Sequence, residues 1–201
     1  TTFIDDKDTL LIGGYNSVKY YQNKNKYLIS DYSFNVVNHL TAGLLSSLGI
    51  SRITLSNEID KNHINLLVNR YQETYHTDPN LELIIYGRNK LMHNKYCPLK
   101  RLDLCPTCQK YQYYLKDDYA SFMMVFNQDC THFILNSKVT NLIDDISSLK
   151  GINYYRLEFY DETNEEIKYY IESAYQAIKG IKTSTFNPNK HTRGHYKKNP
   201  L

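Results

Sequence analysis

The four cysteines of the chain are the residues best suited to metal chemistry. Cys97, Cys105, Cys108 and Cys130 follow the spacing C-x7-C-x2-C-x21-C, so all four fall within one short window. The two sulfurs of a C-x-x-C step can converge on one metal ion or cluster. We therefore expect a bound metal. Two disulfides, or four unrelated buried thiols, are the alternatives.

The spacing also bears on which metal the cysteines would hold. Structural zinc sites often pair two C-x-x-C steps. This sequence has one such step, with a single cysteine at an unequal distance on each side. Irregular spacing of this kind favours an iron–sulfur cluster lodged in an enzyme, and zinc remains the alternative.

Composition and charge are those of an ordinary globular chain. The 201 residues are 41% hydrophobic and 22% charged, which is typical of one folded domain with a sizeable core. The formal net charge of +3 permits a nucleic-acid partner without requiring one. The sequence shows no signal-like start and no apolar run long enough to cross a bilayer, so we expect a cytoplasmic protein with no membrane partner. Disulfides are rare in that compartment, which again favours metal.

Strand-like and helix-like segments alternate about five times along the chain. Strands are predicted at residues 10–13, 26–30, 50–55, 81–86 and 154–159, and helices at 15–21, 34–48, 64–71, 142–149 and 167–178. Such alternation predicts a parallel sheet with helices outside it. Five units are too few to close an eight-fold barrel, which needs ~250 residues. The pattern therefore fits either an open doubly wound sheet or a barrel without its first strands.

A cysteine-bearing insertion, residues 87–137, interrupts this alternation. Within it, residues 112–116 and 122–126 are joined by a short turn and predict a β-hairpin. We therefore expect an α/β core over residues 1–182 that contains the insertion, followed by a basic, mobile tail over residues 183–201. Because the chain begins at Thr1 without Met, we also expect it to be processed or to be a piece of a longer protein.

Polar residues follow the predicted strands, where the active sites of parallel α/β folds gather. Six of them are candidates for binding a polar or anionic ligand: Asn35, Asn38, Glu58, Arg88, Arg156 and Glu158. Either arginine can form a bidentate pair with a carboxylate or phosphate. The alternative is that Arg156 and Glu158 belong to a structural ion-pair network. No G-x-S-x-G or H-E-x-x-H motif is present, so the sequence identifies no catalytic residue.

Several longer motifs resemble one protein family along nearly the whole chain. They are DYSFNVVN at residues 31–38, TLSNEI at 54–59, YGRNKLMHNKYCPL at 86–99, DCTHFILNS at 129–137, YRLEFYDET at 155–163 and TRGHYKK at 192–198. In these motifs and their order the chain resembles the peptidase U32 family, also called collagenase-like proteases. The resemblance implies a TIM-like barrel of which this chain is the C-terminal part, with the N-terminal half of the barrel missing.

The same resemblance implies two kinds of activity. The family name implies a collagenase-like peptidase, without settled catalytic residues. Other members act in hydroxylation of tRNA or rRNA, or of ubiquinone, and the ubiquinone enzymes carry a [4Fe-4S] cluster on four cysteines that the present four resemble. The RNA-modifying members are linked to prephenate, a dianion that would suit Arg88 and Arg156. We therefore expect an iron–sulfur-dependent enzyme that modifies tRNA or rRNA, with a peptidase or a non-catalytic domain holding structural zinc as alternatives.

Overall fold

The computed structural model describes residues 8–197 and contains two β-sheets. The strands are β1 (Thr9–Ile12), β2 (Tyr27–Ser30), β3 (Ile50–Thr54), β4 (Leu81–Gly87), β5 (Lys90–Asn94), β6 (Tyr113–Lys116), β7 (Ser121–Phe126), β8 (His132–Leu135), β9 (Val139–Asn141), β10 (Tyr154–Leu157) and β11 (His191–Thr192). The α-helices are α1 (Tyr15–Tyr21), α2 (His39–Ser47), α3 (Lys61–Tyr75), α4 (Pro98–Arg101) and α5 (Asn164–Ile178). Short 3-10 helices span Tyr32–Phe34, Thr107–Gln109 and Ile143–Ser148. None of the helices among these residues has the length and apolar character that a membrane span requires.

Parallel strands form most of the larger sheet. Strands β1, β2, β3 and β4 are neighbours in that order, and β10 also pairs parallel with β4. β4 has the sequence LELIIYG, and all seven of its residues are buried. A continuous apolar strand of this kind is typical of a parallel sheet that is covered on both faces. Helices α1, α2, α3 and α5 contribute buried residues to the same core.

The predicted partial TIM-like barrel is wrong. β9 pairs antiparallel with the end of β4, where Tyr86 lies opposite Asn141, and β11 pairs with β9. The larger sheet is therefore a mixed sheet of seven strands, and its path from β1 to β11 does not close within residues 8–197. The physical reason is that β3 covers only the first part of β4, at Leu81 and Glu82. The chain that returns from the insertion can therefore hydrogen-bond the later part of β4. The helix expected at 142–149 is a 3-10 helix.

Capping side chains fix where the helices begin. Asn38 Oδ1 accepts a hydrogen bond from the backbone N–H of Thr41 at the start of α2 (2.9 Å). Asp60 caps α3 in the same way, and Thr163 with Glu166 forms the capping box that the sequence predicts for α5. Each cap satisfies N–H groups that the first helical turn leaves without partners. The loops that follow β2, β3 and β10 are thereby held next to the strand ends.

The insertion folds as a four-stranded antiparallel sheet in the order β5, β8, β7, β6, which we call the small sheet. β6 and β7 form the hairpin expected from the sequence, with Lys116 opposite Ser121. Met123, Ile134 and Leu135 are its buried apolar strand residues. A core of so few side chains contributes little stability by itself, so we expect loop contacts to matter in this part of the molecule.

The C-terminal segment packs against the larger sheet. We expected residues 183–201 to form a mobile tail, but Thr185, His191 and Tyr196 are buried. The Asp144 carboxylate accepts hydrogen bonds from the backbone N–H groups of Thr185 and Phe186. Residues 198–201, with the last residue of the TRGHYKK motif, lie outside the described residues, as do residues 1–7 at the start of the predicted core.

Candidate metal and ligand sites

The four cysteines lie on two loops that leave the same end of the small sheet. β5 ends at Asn94 and β8 begins at His132, and these two residues are directly paired. Three cysteines lie in the loop between β5 and β6, and Cys130 lies in the turn between β7 and β8. The antiparallel register therefore brings the two cysteine-bearing loops to the same end of the small sheet.

A series of side-chain contacts links the two loops. The hydroxyl of Thr107, which lies within the C-x-x-C step, is 2.7 Å from Tyr113 Oη. The Tyr113 ring meets Phe126 edge-on at 6.1 Å between centroids, and Phe126 stacks on His132 at 5.1 Å. His132 Nε2 is 3.3 Å from Asn94 Nδ2. These contacts fix the base of both cysteine loops to the end of the small sheet.

The thiols themselves are free. Cys105 and Cys130 are exposed and the other two are partly buried, and no disulfide joins any of the four. The exposure of Cys105 and Cys130 differs from the alternative of four buried thiols, because a cysteine without a special role is usually buried. Thiolates are ligands that zinc and iron–sulfur clusters prefer, so the residues fit such a group in type and in shared location. Within residues 8–197, however, no three His, Cys, Asp or Glu side chains converge closely enough to hold an ion.

His132 stands out beside these cysteines because one of its ring nitrogens has no hydrogen-bond partner within residues 8–197. The residue is only 4% exposed, and the atom without a partner in this range is Nδ1. Buried polar atoms in native structures nearly always have a partner. Burial and the nearby His93 lower the pKa of His132, which favours the neutral imidazole that binds metals. The sequence suggested His132 only as a candidate base and not as a metal ligand, although its place two positions after Cys130 was a signal.

A separate cleft of about 330 Å³ opens between the ends of β2 and β3 and the start of the small sheet. Asn35, Ser56, Glu58, Lys90 and His195 are among its lining residues. Ser56 Oγ donates a 2.6 Å hydrogen bond to Asn35 Oδ1, which fixes one wall. Asn35 and Glu58, which the sequence proposed as ligand-binding residues, both line this cleft, as do Lys90 and His195, which the sequence did not propose. Lys90 opens the insertion and His195 lies in the C-terminal segment, so neither follows a predicted strand directly.

The charged groups of the cleft are free to meet a ligand. The Glu58 carboxylate is exposed and has no hydrogen-bond or ion-pair partner among residues 8–197. The Lys90 ammonium lies 4.7 Å from the centroid of Phe133 and 5.7 Å from that of Tyr32, with no carboxylate partner in the described chain. Burial, together with Asp31, raises the pKa of the Tyr32 hydroxyl, so Tyr32 offers a neutral O–H. The cleft therefore combines a cation, an anion and neutral donors.

Arg156 does not face this cleft with a free guanidinium. It donates to Glu82 (Nε, 2.7 Å), to Asp31 (2.8 Å), to Glu158 (3.3 Å) and to the Thr54 hydroxyl (2.8 Å). Its side chain is 15% exposed. The structure thus matches the alternative that Arg156 and Glu158 belong to a structural ion-pair network. Groups of the protein already accept the hydrogen bonds that Arg156 would otherwise donate to a ligand.

Arg88 is engaged in the same manner at the base of the small sheet. Nε and a terminal nitrogen each lie 3.3 Å from the Asp161 carboxylate, and the other terminal nitrogen donates to the carbonyls of Asn136 and Ser137. Arg88 therefore joins the segments where the chain leaves and rejoins the larger sheet. Asn38, the remaining candidate, uses its side chain to cap α2.

Comparison with known proteins adds no relative to this description. Neither the protein-family models, nor the curated proteins, nor the solved structures contain a match to the chain.

Proposed function

We propose that the chain is an iron–sulfur protein of the U32 type that hydroxylates or otherwise modifies tRNA or rRNA in the cytoplasm. The observation that carries the proposal is that all four cysteines lie in loops at one end of the small sheet. They are exposed or partly buried, and none forms a disulfide. In this proposal Cys97, Cys105, Cys108 and Cys130 hold a [4Fe-4S] cluster. Such a cluster, when bound, supplies one-electron redox chemistry.

The chain's own residues would bind the second reactant in the cleft. The ammonium of Lys90 would meet the anionic group of prephenate or another small anion, while Glu58 and the hydroxyl of Tyr32 would meet its polar groups. Lys90 takes the role that we expected of Arg88 and Arg156, since both arginines are bound to protein groups. Lys90 begins β5 and the cysteine loops follow its end, which puts the two sites about 13 Å apart along the strand.

Metal analysis of the full chain, purified without oxygen, tests the proposed cluster. We expect about four iron atoms and four acid-labile sulfides per chain, as in a cubane cluster. The double variant Cys97→Ser, Cys108→Ser should lose both. Met92→Leu, which changes an exposed sulfur side chain on the same sheet, serves as the matched control and should keep them. A colourless wild-type protein with no iron would contradict the cluster.

The RNA substrate is tested separately. Mass spectrometry of tRNA and rRNA nucleosides from cells that lack the protein should reveal one missing modification. Wild-type protein should restore the modification, and the double cysteine variant should not. An unchanged set of modified nucleosides in both RNA classes would rule out the proposed substrate while leaving the cluster intact.

Structural zinc is the second candidate, and His132 is the observation that favours it. A buried imidazole nitrogen without a partner, two residues from Cys130, suits a mixed cysteine and histidine site of the kind that zinc occupies. Stoichiometric zinc without colour would select this candidate. The peptidase alternative gains no comparable support, since no His side chain is hydrogen-bonded to a Ser or Cys side chain in the described chain. Gelatin cleavage by the double cysteine variant would favour it.

A further inference from the structure

The outer edge of the small sheet exposes three tyrosines along one continuous segment. β6 is the last strand in the order β5, β8, β7, β6, so one side of it has no neighbouring strand in the small sheet. Tyr111 before the strand is 65% exposed, Tyr114 within it 45%, and Tyr119 in the following turn 96%. Three exposed aromatic rings within nine residues offer flat apolar area that a partner can cover. We call Tyr111, Tyr114 and Tyr119 the tyrosine edge.

Basic side chains accompany these tyrosines. Residues 90–119 contain six Lys or Arg and three Asp, and two of these, Asp117 and Asp118, lie in the turn between Tyr114 and Tyr119. This segment therefore has the same net charge of +3 as the whole chain. Lys110 and Lys116 lie on the tyrosine edge itself and are exposed. The Asp117 carboxylate is engaged by the turn backbone, so Lys110 and Lys116 can meet negatively charged groups of a partner whose flat apolar groups cover the tyrosine rings.

Hydrogen bonds hold the tyrosine edge in shape before any partner binds. Gln112 Nε2 donates to the Met124 carbonyl across the hairpin (2.9 Å). The Asp117 carboxylate accepts from the backbone N–H groups of Tyr119 and Ala120 at 2.8 and 2.7 Å, which fixes the turn. A pre-formed surface loses little conformational freedom on binding. The ring of Tyr119 can therefore remain exposed without the turn collapsing around it.

We infer that the tyrosine edge binds single-stranded RNA, with bases stacked on the tyrosine rings and phosphates beside Lys110 and Lys116. Exposed aromatic rings alternating with cations are how proteins hold single strands without reading their sequence. The edge starts in the loop that bears Cys105 and Cys108, so RNA on it would pass the cysteine loops. The choice of RNA over DNA rests on the proposed function, whereas the stacking surface does not.

Binding of a fluorescein-labelled 12-nucleotide single-stranded RNA to the full chain, followed by anisotropy, tests the inference. The triple variant Tyr111→Ala, Tyr114→Ala, Tyr119→Ala should bind at least about a hundredfold more weakly, because the loss of each stacked base weakens the affinity by at least about fivefold. The matched control changes two exposed tyrosines of α5, Tyr169→Ala and Tyr175→Ala, and should bind like the wild type. A second variant, Lys110→Gln with Lys116→Gln, should reduce the salt dependence of the affinity, as loss of two phosphate contacts does.

The outcomes separate this inference from the proposed function. Equal affinity of the triple variant and the wild type, or equal binding of duplex and single strand, would overturn it even if the protein carries a cluster. Tighter binding of DNA than of RNA would overturn the choice of RNA. A dimer that the triple variant converts to a monomer would show instead that two edges pair as strands. If a protein that binds no iron still binds RNA through the tyrosine edge, the inference is supported and only the cluster proposal is contradicted.

Discussion

Arg156 illustrates a residue for which the sequence leaves two roles open, ligand binding and a structural ion-pair network, and whose contacts match the second. The sequence places it on a strand near the edge where ligands bind, and this part is correct. The partners are set by the sheet: Thr54 of β3 lies opposite Glu82 of β4, and Tyr154 of β10 lies on the other side of Glu82. The fold thus aligns one arginine with three carboxylates and a hydroxyl, and patterns along the chain do not identify these partners.

Removing the Arg156 side chain should destabilise the protein without touching the cleft. Arg156→Ala leaves the Glu82 carboxylate, 6% exposed, with Arg52 and Thr54 as its remaining partners. Loss of one member of a buried charge network costs about 3 kcal/mol in the free energy of unfolding. Urea denaturation followed by circular dichroism measures the change. Arg70→Ala, an exposed arginine on α3, is the control and should change the free energy by less than about 0.5 kcal/mol. Equal effects of the two variants would contradict the network.

At the scale of elements, the sequence predicts the local features and misses the pairings between distant segments. The capping box of α5 and the β6–β7 hairpin depend on residues a few positions apart, and both are present. β9 has three residues and β11 has two, too few for periodicity to detect. Their pairing with each other and with β4 makes the larger sheet mixed. The candidate site shows the same limit, because Lys90 and His195 reach the cleft through non-local folding.

The attachment of the C-terminal segment should depend on pH through Asp144. Burial raises the pKa of this carboxyl, but hydrogen bonds from the backbone and hydroxyl groups of Thr185 and from Thr183 outweigh burial, and the pKa is lowered. A carboxyl whose pKa is lower in the folded state stabilises the protein above its unfolded pKa of about 4 and loses that contribution as the pH falls. Asp144→Asn should therefore lower the free energy of unfolding at pH 7 by about 1–3 kcal/mol and flatten its decline under acid.

Urea denaturation between pH 7 and pH 3 measures this dependence. Asp118→Asn, a change of an exposed aspartate in the hairpin turn, removes the same charge and should leave the pH profile of the wild type unchanged. A parallel decline of wild type and Asp144→Asn below pH 4 would show that Asp144 does not hold the C-terminal segment.

The whole molecule consists of a well-buried sheet and a small sheet that carries most of its candidate chemistry. The cleft lies where the two meet, the cysteines lie at the far end of β5, and the tyrosine edge lies on β6. Arg88 ties the base of the small sheet to Asp161 and to the carbonyls of Asn136 and Ser137. The sequence predicted a metal site on the four cysteines of the insertion, and this stays a prediction. It could not predict the strand register and the side-chain contacts that bring both cysteine loops to one end of the small sheet.

Metal binding should stabilise this small sheet and leave the larger sheet unchanged. A cluster or zinc ion held by the cysteine loops binds only their folded conformation and therefore stabilises it. At a metal concentration a hundred times the dissociation constant, this stabilisation is about 2.7 kcal/mol. We expect amide hydrogen exchange in residues 95–112 and 127–131 to slow by about a hundredfold when iron and sulfide, or zinc, are supplied. The amides of β4 should exchange at the same rate as before.

The double variant Cys97→Ser, Cys108→Ser should show no such protection, and Met92→Leu should show all of it. Protection spread evenly over both sheets, or equal protection in the double cysteine variant, would mean that the metal binds elsewhere and that the shared position of the four thiols has another cause.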